Sequence, residues 1–132
     1  MNEEIKELKS KVKNLNVLYS EDEEEMRVGT ELFLNKFFTS IDSTCDGLEG
    51  LEKFKEKKYD IVFSDVMMPR MDGLEMLKKI KEIDNNVFTV TLTATSVREE
   101  DITSTSDLYY RKPISYENMI EIMGKIVEKL NL

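Results

Sequence analysis

The stretch DIVFSDVMMPRMDG, residues 60–73, indicates the fold class of this chain. Its apolar run, Ile61 to Phe63, is β-prone and uninterrupted, which is typical of a strand buried on both faces of a parallel sheet. The run ends at Asp65, and a turn-forming segment follows it. Beyond the turn, apolar residues recur at helical spacing and predict one buried helix face: Leu74, Leu77, Ile80 and Ile83. The stretch therefore predicts a strand, a loop and a helix in succession.

The same alternation of strand and helix extends over most of the 132 residues. Further β-prone runs occupy residues 17–19, 87–92 and 108–110, and residues 41–45 form a weaker one. The last helical stretch has its own apolar face, in which we interpret the methionines as core residues: Met119, Ile120, Met123, Ile126, Val127 and Leu130. Helices that alternate with apolar strands predict an α/β fold with a doubly wound, five-stranded parallel sheet.

The N-terminal segment is rich in Lys and Glu and precedes the first predicted strand. Its apolar residues alternate at spacings of three and four, but only over two heptads: Ile5, Leu8, Val12 and Leu15. We interpret residues 1–15 as an extra amphipathic helix that leads into a domain over residues 16–132. A helix that links or dimerises the protein through residues 3–15 is the alternative.

The composition excludes several classes of function. The chain has 19 basic and 27 acidic residues, a net charge of −8, no histidine and one cysteine. Without histidine, imidazole-based catalysis and His-ligated zinc are excluded. A single cysteine forms no internal disulfide, and we expect Cys45 to be a small buried apolar residue.

The acidic balance is unfavourable for direct binding to DNA, because a DNA-binding surface must neutralise phosphates with Lys and Arg. No apolar run approaches the roughly 20 residues of a membrane span. We therefore expect a soluble, cytoplasmic protein with neither nucleic acid nor membrane as a partner.

Polar side chains stand at the ends of four predicted strands. Glu21 and Asp22 follow the first strand, and Asp65 ends the third. Thr93 ends the fourth strand, and Lys112 follows the fifth. Ligands of open α/β sheets bind beyond the carboxyl ends of the strands, so we expect these side chains to meet. Carboxylates about 4 Å apart repel by roughly 1 kcal/mol in water, and Mg²⁺ suits such a cluster.

This set of groups is able to accept a phosphoryl group. Asp65 is the best candidate for the nucleophile because it closes an apolar strand, and Asp22 is then a metal ligand. The cation, the Lys112 ammonium and the Thr93 hydroxyl would neutralise charge on the phosphoryl oxygens.

Residues 64–73 resemble the phosphoacceptor segment of response-regulator receiver domains, the CheY-like modules of two-component signalling. Glu21-Asp22 matches the acidic pair of that family. Thr93-Ala94 and Lys112-Pro113 match the signatures of its fourth and fifth strands. The similarity covers residues 16–132 and implies a flavodoxin-like sheet of strand order 2-1-3-4-5, with the N-terminal helix as an addition.

The resemblance also implies a role for each acidic residue. Asp65 would be the phosphoacceptor, and Mg²⁺ would be held by Asp22, Asp65 and the backbone carbonyl of Met67. Glu21 would act on the metal through water.

Three further residues receive a role from the resemblance. Lys112 would contact a phosphoryl oxygen, and Thr93 and Tyr109 would be the switch residues that rearrange on activation. The Lys112–Pro113 peptide bond would be cis.

The implied function is that of a signalling module and not of an enzyme with a separate substrate. A sensor histidine kinase or a phosphotransfer protein would donate the phosphoryl group, and the domain would catalyse only its own phosphorylation and dephosphorylation. Phosphorylation would switch contacts to an output protein, which the sequence does not identify. The contacts would use the face formed by the fourth helix, fifth strand and fifth helix of the receiver.

Three alternatives remain at this point. A degenerate receiver would bind proteins without being phosphorylated. A phosphatase of the haloacid dehalogenase type also uses an aspartate after a strand, but it commonly has an acid two residues later, where this chain has Met67. An FMN-binding flavodoxin needs a phosphate loop after the first strand, and the acids at 21–23 would repel phosphate.

The chain departs from the family pattern between Thr93 and Lys112, an interval shorter than usual by about one helical turn. Residues 96–102 have only Val97 and Ile102 as apolar anchors, so we expect a short or frayed helix there.

Overall fold

The computed structural model describes residues 2–94 and 98–132. This part of the chain forms α1 (Glu3–Val12), β1 (Asn16–Ser20), α2 (Glu24–Leu34), β2 (Ser40–Thr44), α3 (Gly47–Phe54), β3 (Ile61–Ser64), α4 (Gly73–Ile83), β4 (Phe88–Thr93), α5 (Glu99–Thr103), β5 (Leu108–Arg111) and α6 (Tyr116–Leu130). The strands form one sheet of order β2-β1-β3-β4-β5, in which all neighbours are parallel. The predicted doubly wound sheet of order 2-1-3-4-5 with an extra N-terminal helix is confirmed.

The two faces of the sheet are covered by different helices. Val17 and Tyr19 of β1 pack into a cluster with apolar residues of α1, α2 and α6, whereas Leu18 packs with α3 and α4. This division follows from the alternation of side chains along a strand. Helices on both faces leave the carboxyl edge of the sheet as the place where polar side chains collect. No helix of the described ranges is long and apolar enough to cross a membrane.

The apolar stripe of α1 belongs to the domain's own core. α1 packs against α6, Val12 is fully buried, and Leu8 and Leu15 are partly buried against the same cluster. This agrees with the interpretation of an extra amphipathic helix. Dimerisation through residues 3–15 stays a prediction, and it would have to use the Lys/Glu face of α1.

Two expectations about buried side chains are wrong. Ile83 is exposed because α4 ends at this residue, and the buried face of α4 is completed by Met76 instead. Cys45 is also exposed. It lies between β2, an edge strand, and Asp46, the N-cap residue of α3, where the chain turns at the surface. The expectation that Met119 and Met123 belong to the core is confirmed.

The short helix expected between Thr93 and Lys112 is present as α5, whose five residues bury Ile102. Ser96 and Val97, which the sequence placed in this helix, lie outside the described residues.

The segment that follows α5 is fixed by the side chain of Asp107. Its Oδ2 accepts hydrogen bonds from Lys81 Nζ at 2.8 Å and from the Thr89 amide at 2.9 Å. The amide of Asp107 in turn donates to the Thr89 carbonyl at 3.0 Å. One carboxylate thus joins α4, β4 and the entry to β5.

Candidate functional site

Parallel pairing brings the residues that follow β1, β3 and β5 to the same edge of the sheet. Asp65 comes directly after β3, and its amide donates to the Ser20 carbonyl at 3.1 Å. Glu21 comes directly after β1, which pairs with β3. The amide of Lys112 donates to the Thr93 carbonyl at 2.9 Å, so the ladder of β4 and β5 continues to the site. The sequence predicted this meeting of strand ends.

Three carboxylates form a cluster that could hold a metal ion. Glu21, Asp22 and Asp65 each offer an oxygen, and these oxygens lie within 4.8 Å of one another. Glu21 is buried, Asp65 is partly buried and Asp22 is exposed, so the cluster opens to solvent on the Asp22 side. Charges at this separation repel unless a cation or a proton compensates them. Hard oxygen ligands with one open side fit Mg²⁺, which keeps several of its waters.

Lys112 supplies a fixed positive charge beside this cluster. Its ammonium donates to Asp65 Oδ2 at 3.1 Å and also to Glu21 Oε1, and its side chain is only 6 % exposed. Burial raises the pKa of Glu21 and the negative charge of Asp65 adds to this effect, while the hydrogen bond from Lys112 opposes it. The buried ammonium therefore compensates two carboxylates at once.

The loop between β1 and α2 is held by an arginine to which the sequence assigned no role. Nη1 of Arg27 donates to the carbonyl of Glu21 at 2.9 Å and to that of Asp22 at 3.4 Å. These bonds fix the backbone of the acidic pair from α2. Arg27 lies six residues after Glu21 and belongs to none of the motifs described above. Only the three-dimensional arrangement therefore reveals its contact with the acidic pair.

The loop after β3 approaches Asp65 closely. The Val66 amide donates to Asp65 Oδ1 at 2.7 Å, and the Gly73 amide donates to the Val66 carbonyl at 2.8 Å. A Cβ atom at Gly73 would lie 1.8 Å from the Asp65 carbonyl oxygen, so glycine is required here. The loop thereby starts and ends beside Asp65, and the exposed Met67 lies within it.

The two residues predicted as switches lie on β4 and β5, which are neighbours. Thr93 is buried at the end of β4, and Tyr109 is exposed on β5. Interaction with the Glu99 carboxylate of α5 raises the pKa of the Tyr109 hydroxyl. The Lys112–Pro113 peptide bond is cis, in agreement with the resemblance.

The arrangement provides the groups for phosphoryl transfer to a carboxylate. Asp65 is 13 % exposed, one of its oxygens accepts a backbone N–H, and the other accepts the Lys112 ammonium. These two contacts fix the orientation of the carboxylate, and an ammonium at this position could neutralise charge on a phosphoryl group.

Comparison with known proteins shows the family. Residues 17–123 match the model of the response regulator receiver domain. The chain belongs to this family. Among curated relatives, a protein-glutamate methylesterase/protein-glutamine glutaminase of Methanospirillum hungatei is 39 % identical over 64 % of this chain and 26 % of its own length. An uncharacterized transcriptional regulatory protein of Bacillus subtilis, YclJ, is 28 % identical over 87 % of this chain and 52 % of its own length.

The solved structures are similar over most of the receiver. The response regulator TrrA of Thermotoga maritima, solved in complex with Mg²⁺-BeF, is 29 % identical to this chain with a TM-score of 0.74. The match covers 85 % of this chain and 98 % of that chain. By contrast, the receiver spans only about a quarter to a half of the two curated relatives described above.

Proposed function

We propose that this receiver domain accepts a phosphoryl group on Asp65 and thereby switches its contacts with other proteins. The observation that carries the proposal is the environment of Asp65. Its carboxylate lies 3.1 Å from the Lys112 ammonium and within one cluster with Glu21 and Asp22. A degenerate receiver that only binds proteins has no need to keep a nucleophile, a buried ammonium and a set of metal ligands together.

The chemistry is the formation of an acyl phosphate. A carboxylate oxygen of Asp65 forms a bond to the phosphorus of a partner's phosphohistidine, and the P–N bond to the imidazole breaks. The imidazole nitrogen leaves with the electron pair of that bond. Hydrolysis of the acyl phosphate by water later returns the Asp65 carboxylate and inorganic phosphate. The domain catalyses these two steps on itself and has no separate substrate.

The acidic cluster would hold Mg²⁺ as the cofactor. Asp22, Asp65 and the backbone carbonyl of Met67 are the proposed ligands, and Glu21 acts through water. The fit rests on the spacing of the three carboxylates, whose oxygens lie within 4.8 Å of one another. When bound, Mg²⁺ supplies positive charge against the phosphoryl oxygens and against the cluster. Lys112 adds a second positive charge beside Asp65 and Glu21.

Thr93 and Tyr109 would transmit the change to a protein partner. Thr93 would turn its hydroxyl toward a phosphoryl oxygen, and Tyr109 would leave its exposed position. The face of α5, β5 and α6 is then the output surface, since it contains Tyr109 and adjoins Thr93. We propose a sensor histidine kinase or phosphotransfer protein as the donor and a cytoplasmic location; the output protein is a separate question.

Mass spectrometry of the intact protein tests the proposal. With Mg²⁺ and acetyl phosphate, or with the phosphorylated kinase, we expect the addition of one phosphoryl group. Asp65→Asn and chelation of the metal should each prevent it. Glu24→Gln, a substitution of an exposed acid on α2, is the matched control and should leave the addition unchanged. Unmodified wild-type protein with both donors would instead support the degenerate receiver.

A further inference from the structure

We propose that Arg70 is a positioning residue for the metal site, acting through its ion pair with Asp46. The pair ties loop 66–72 to the start of α3 and thereby presets the backbone around Met67 for Mg²⁺. This inference rests on the proposed function, in which the Met67 carbonyl is a metal ligand. Neither Arg70 nor Asp46 belongs to the acidic cluster itself.

The two oxygens of the Asp46 carboxylate have different partners, and Arg70 contacts only one of them. Nε and Nη2 of Arg70 each lie 3.0 Å from Oδ2 of Asp46. Oδ1 of Asp46 accepts the Glu49 amide at 2.8 Å and so caps α3. The Asp46 side chain is 12 % exposed and that of Arg70 is 57 % exposed, so the guanidinium reaches from the exposed loop to a largely buried carboxylate at the start of α3. Charge-assisted bonds of this kind are stronger than neutral ones.

The loop backbone at Arg70 has a conformation that requires support. Its φ angle is 67°, in the left-handed region that residues with a side chain rarely adopt. The amide of the next residue, Met71, donates to the Pro69 carbonyl at 2.7 Å, which makes the turn tight. Such a backbone persists where surrounding contacts hold it. The contact with Asp46 is one of them.

A second contact places the loop directly on α3. A Cβ atom at Gly47 would lie 2.0 Å from the carbonyl oxygen of Met71, so the two backbones touch where a side chain would not fit. At its base, the loop is closed by the bond from the Gly73 amide to the Val66 carbonyl. Met67 lies between the closed base and the tip that is fixed to α3.

Removal of the anchor would let the loop adopt more conformations in the metal-free protein. Mg²⁺ would then have to order the loop when it binds, and this loss of entropy lowers the affinity. The effect acts on metal binding and on the steps that depend on it, and it does not require a loss of overall stability.

A titration with Mg²⁺ followed by NMR chemical shifts tests this role. We expect Arg70→Ala to weaken Mg²⁺ binding by about three- to tenfold, the net size of one typical hydrogen bond, because the guanidinium is largely exposed. Asp46→Asn should have a similar effect, because asparagine still caps α3 but loses the charge that holds Arg70. Arg70→Lys should fall between wild type and Arg70→Ala. The variant that carries both Arg70→Ala and Asp46→Asn should bind Mg²⁺ no more weakly than the weaker-binding single variant, because both substitutions remove the same contact.

Lys53→Ala is the matched control, since Lys53 is a cation on α3 that pairs with Glu56 and not with the loop. It should leave Mg²⁺ affinity within twofold of wild type. The inference is overturned if Arg70→Ala also stays within that limit while the wild type binds Mg²⁺ and becomes phosphorylated. A wild type that binds no Mg²⁺ would overturn the metal site and this inference together.

Discussion

At the scale of single residues, we expect repulsion within the carboxylate cluster to lower the stability of the metal-free receiver. Glu21, Asp22 and Asp65 offer oxygens within 4.8 Å of one another, and Lys112 contacts only Glu21 and Asp65 among them. Asp22→Asn removes one charge without removing a buried group. We expect it to raise the free energy of unfolding of the metal-free protein by about 1 kcal/mol.

Urea denaturation with and without MgCl₂, at matched ionic strength, measures this effect. Mg²⁺ should stabilise the wild type by mass action and should stabilise Asp22→Asn much less. Glu24→Gln removes an exposed charge of the same sign and should keep the full response to Mg²⁺. An equal response of wild type and Asp22→Asn would show that Asp22 is not a ligand.

Two helical glycines lead to opposite predictions for the same substitution. A Cβ atom at Gly50 would lie 2.5 Å from Met76 Sδ and 2.6 Å from Ser20 Oγ, whereas at Gly124 nothing lies within 4 Å. Gly50→Ala should therefore lower the free energy of unfolding by about 1–3 kcal/mol despite its higher helix propensity. Gly124→Ala should raise it by about 0.5–1 kcal/mol. Urea denaturation of both variants and of wild type measures the direction of each change in the free energy of unfolding. Stabilisation by Gly50→Ala would contradict the close packing around Gly50.

The meeting of the candidate site residues was predictable from the sequence, but the side chains that support them were not. Asp65 and Lys112 follow apolar strands, and a parallel sheet brings such positions together. Arg27 and Arg70 act through long side chains that reach other elements, so their partners depend on the packed structure. The close approach that excludes a side chain at Gly50 is hidden for the same reason, since helix propensity alone disfavours glycine there.

At the scale of elements, α1 contributes to stability through its contacts with α6 and the core. Val12 is fully buried in this contact. Val12→Ala should lower the free energy of unfolding by about 2 kcal/mol through lost apolar burial and a cavity. Lys11→Ala, an exposed neighbour, should change it by less than about 0.5 kcal/mol. Equal, small effects of both substitutions in urea denaturation would indicate that α1 does not pack on the domain.

The junction of α4, β4 and β5 should make stability depend on pH. Burial opposes the effect, but the Lys81 ammonium and the Thr89 amide hold the pKa of Asp107 below its usual value. A lowered pKa means that the folded protein favours the carboxylate. The contribution is thus present above the unfolded pKa of about 3.9 and is lost as the pH falls through the folded value.

Asp107→Asn should therefore lower the free energy of unfolding by about 1–2 kcal/mol at neutral pH, after allowance for the partial exposure of the pair. The difference from wild type should shrink as the pH falls below about 4. Denaturation between pH 3 and 7 measures it, with Glu128→Gln as a control at an exposed site on α6. A difference that does not vary with pH would contradict the role of the charge.

Most elements were predictable because long periodic segments and apolar strands give strong signals. The short α5 was also expected, since its segment offers few apolar anchors. The exposure of Ile83 and Cys45 was not expected, because each lies at the end of an element, where an apolar pattern no longer indicates burial.

At the scale of the whole molecule, the fold brings a cluster of charged side chains to one edge of the sheet in an acidic protein. The net charge of −8 is spread over the chain, but three carboxylates and one buried ammonium meet beyond β1, β3 and β5. The chain contains no histidine, so the phosphohistidine of the proposed reaction belongs to a partner or to a segment outside this sequence. Asp65 belongs to this charged cluster and is also the proposed phosphoacceptor.

The most direct test of this account is to locate the phosphoryl group after reaction with Mg²⁺ and acetyl phosphate. Borohydride reduces an acyl phosphate to an alcohol and leaves ordinary carboxylates and phosphoesters unchanged. Peptide mapping by tandem mass spectrometry should then find homoserine at position 65 and at no other acidic position. Reduction at Asp22 or Glu21, or a phosphoester on Thr93 that resists borohydride, would contradict the assignment of Asp65 as the phosphoacceptor.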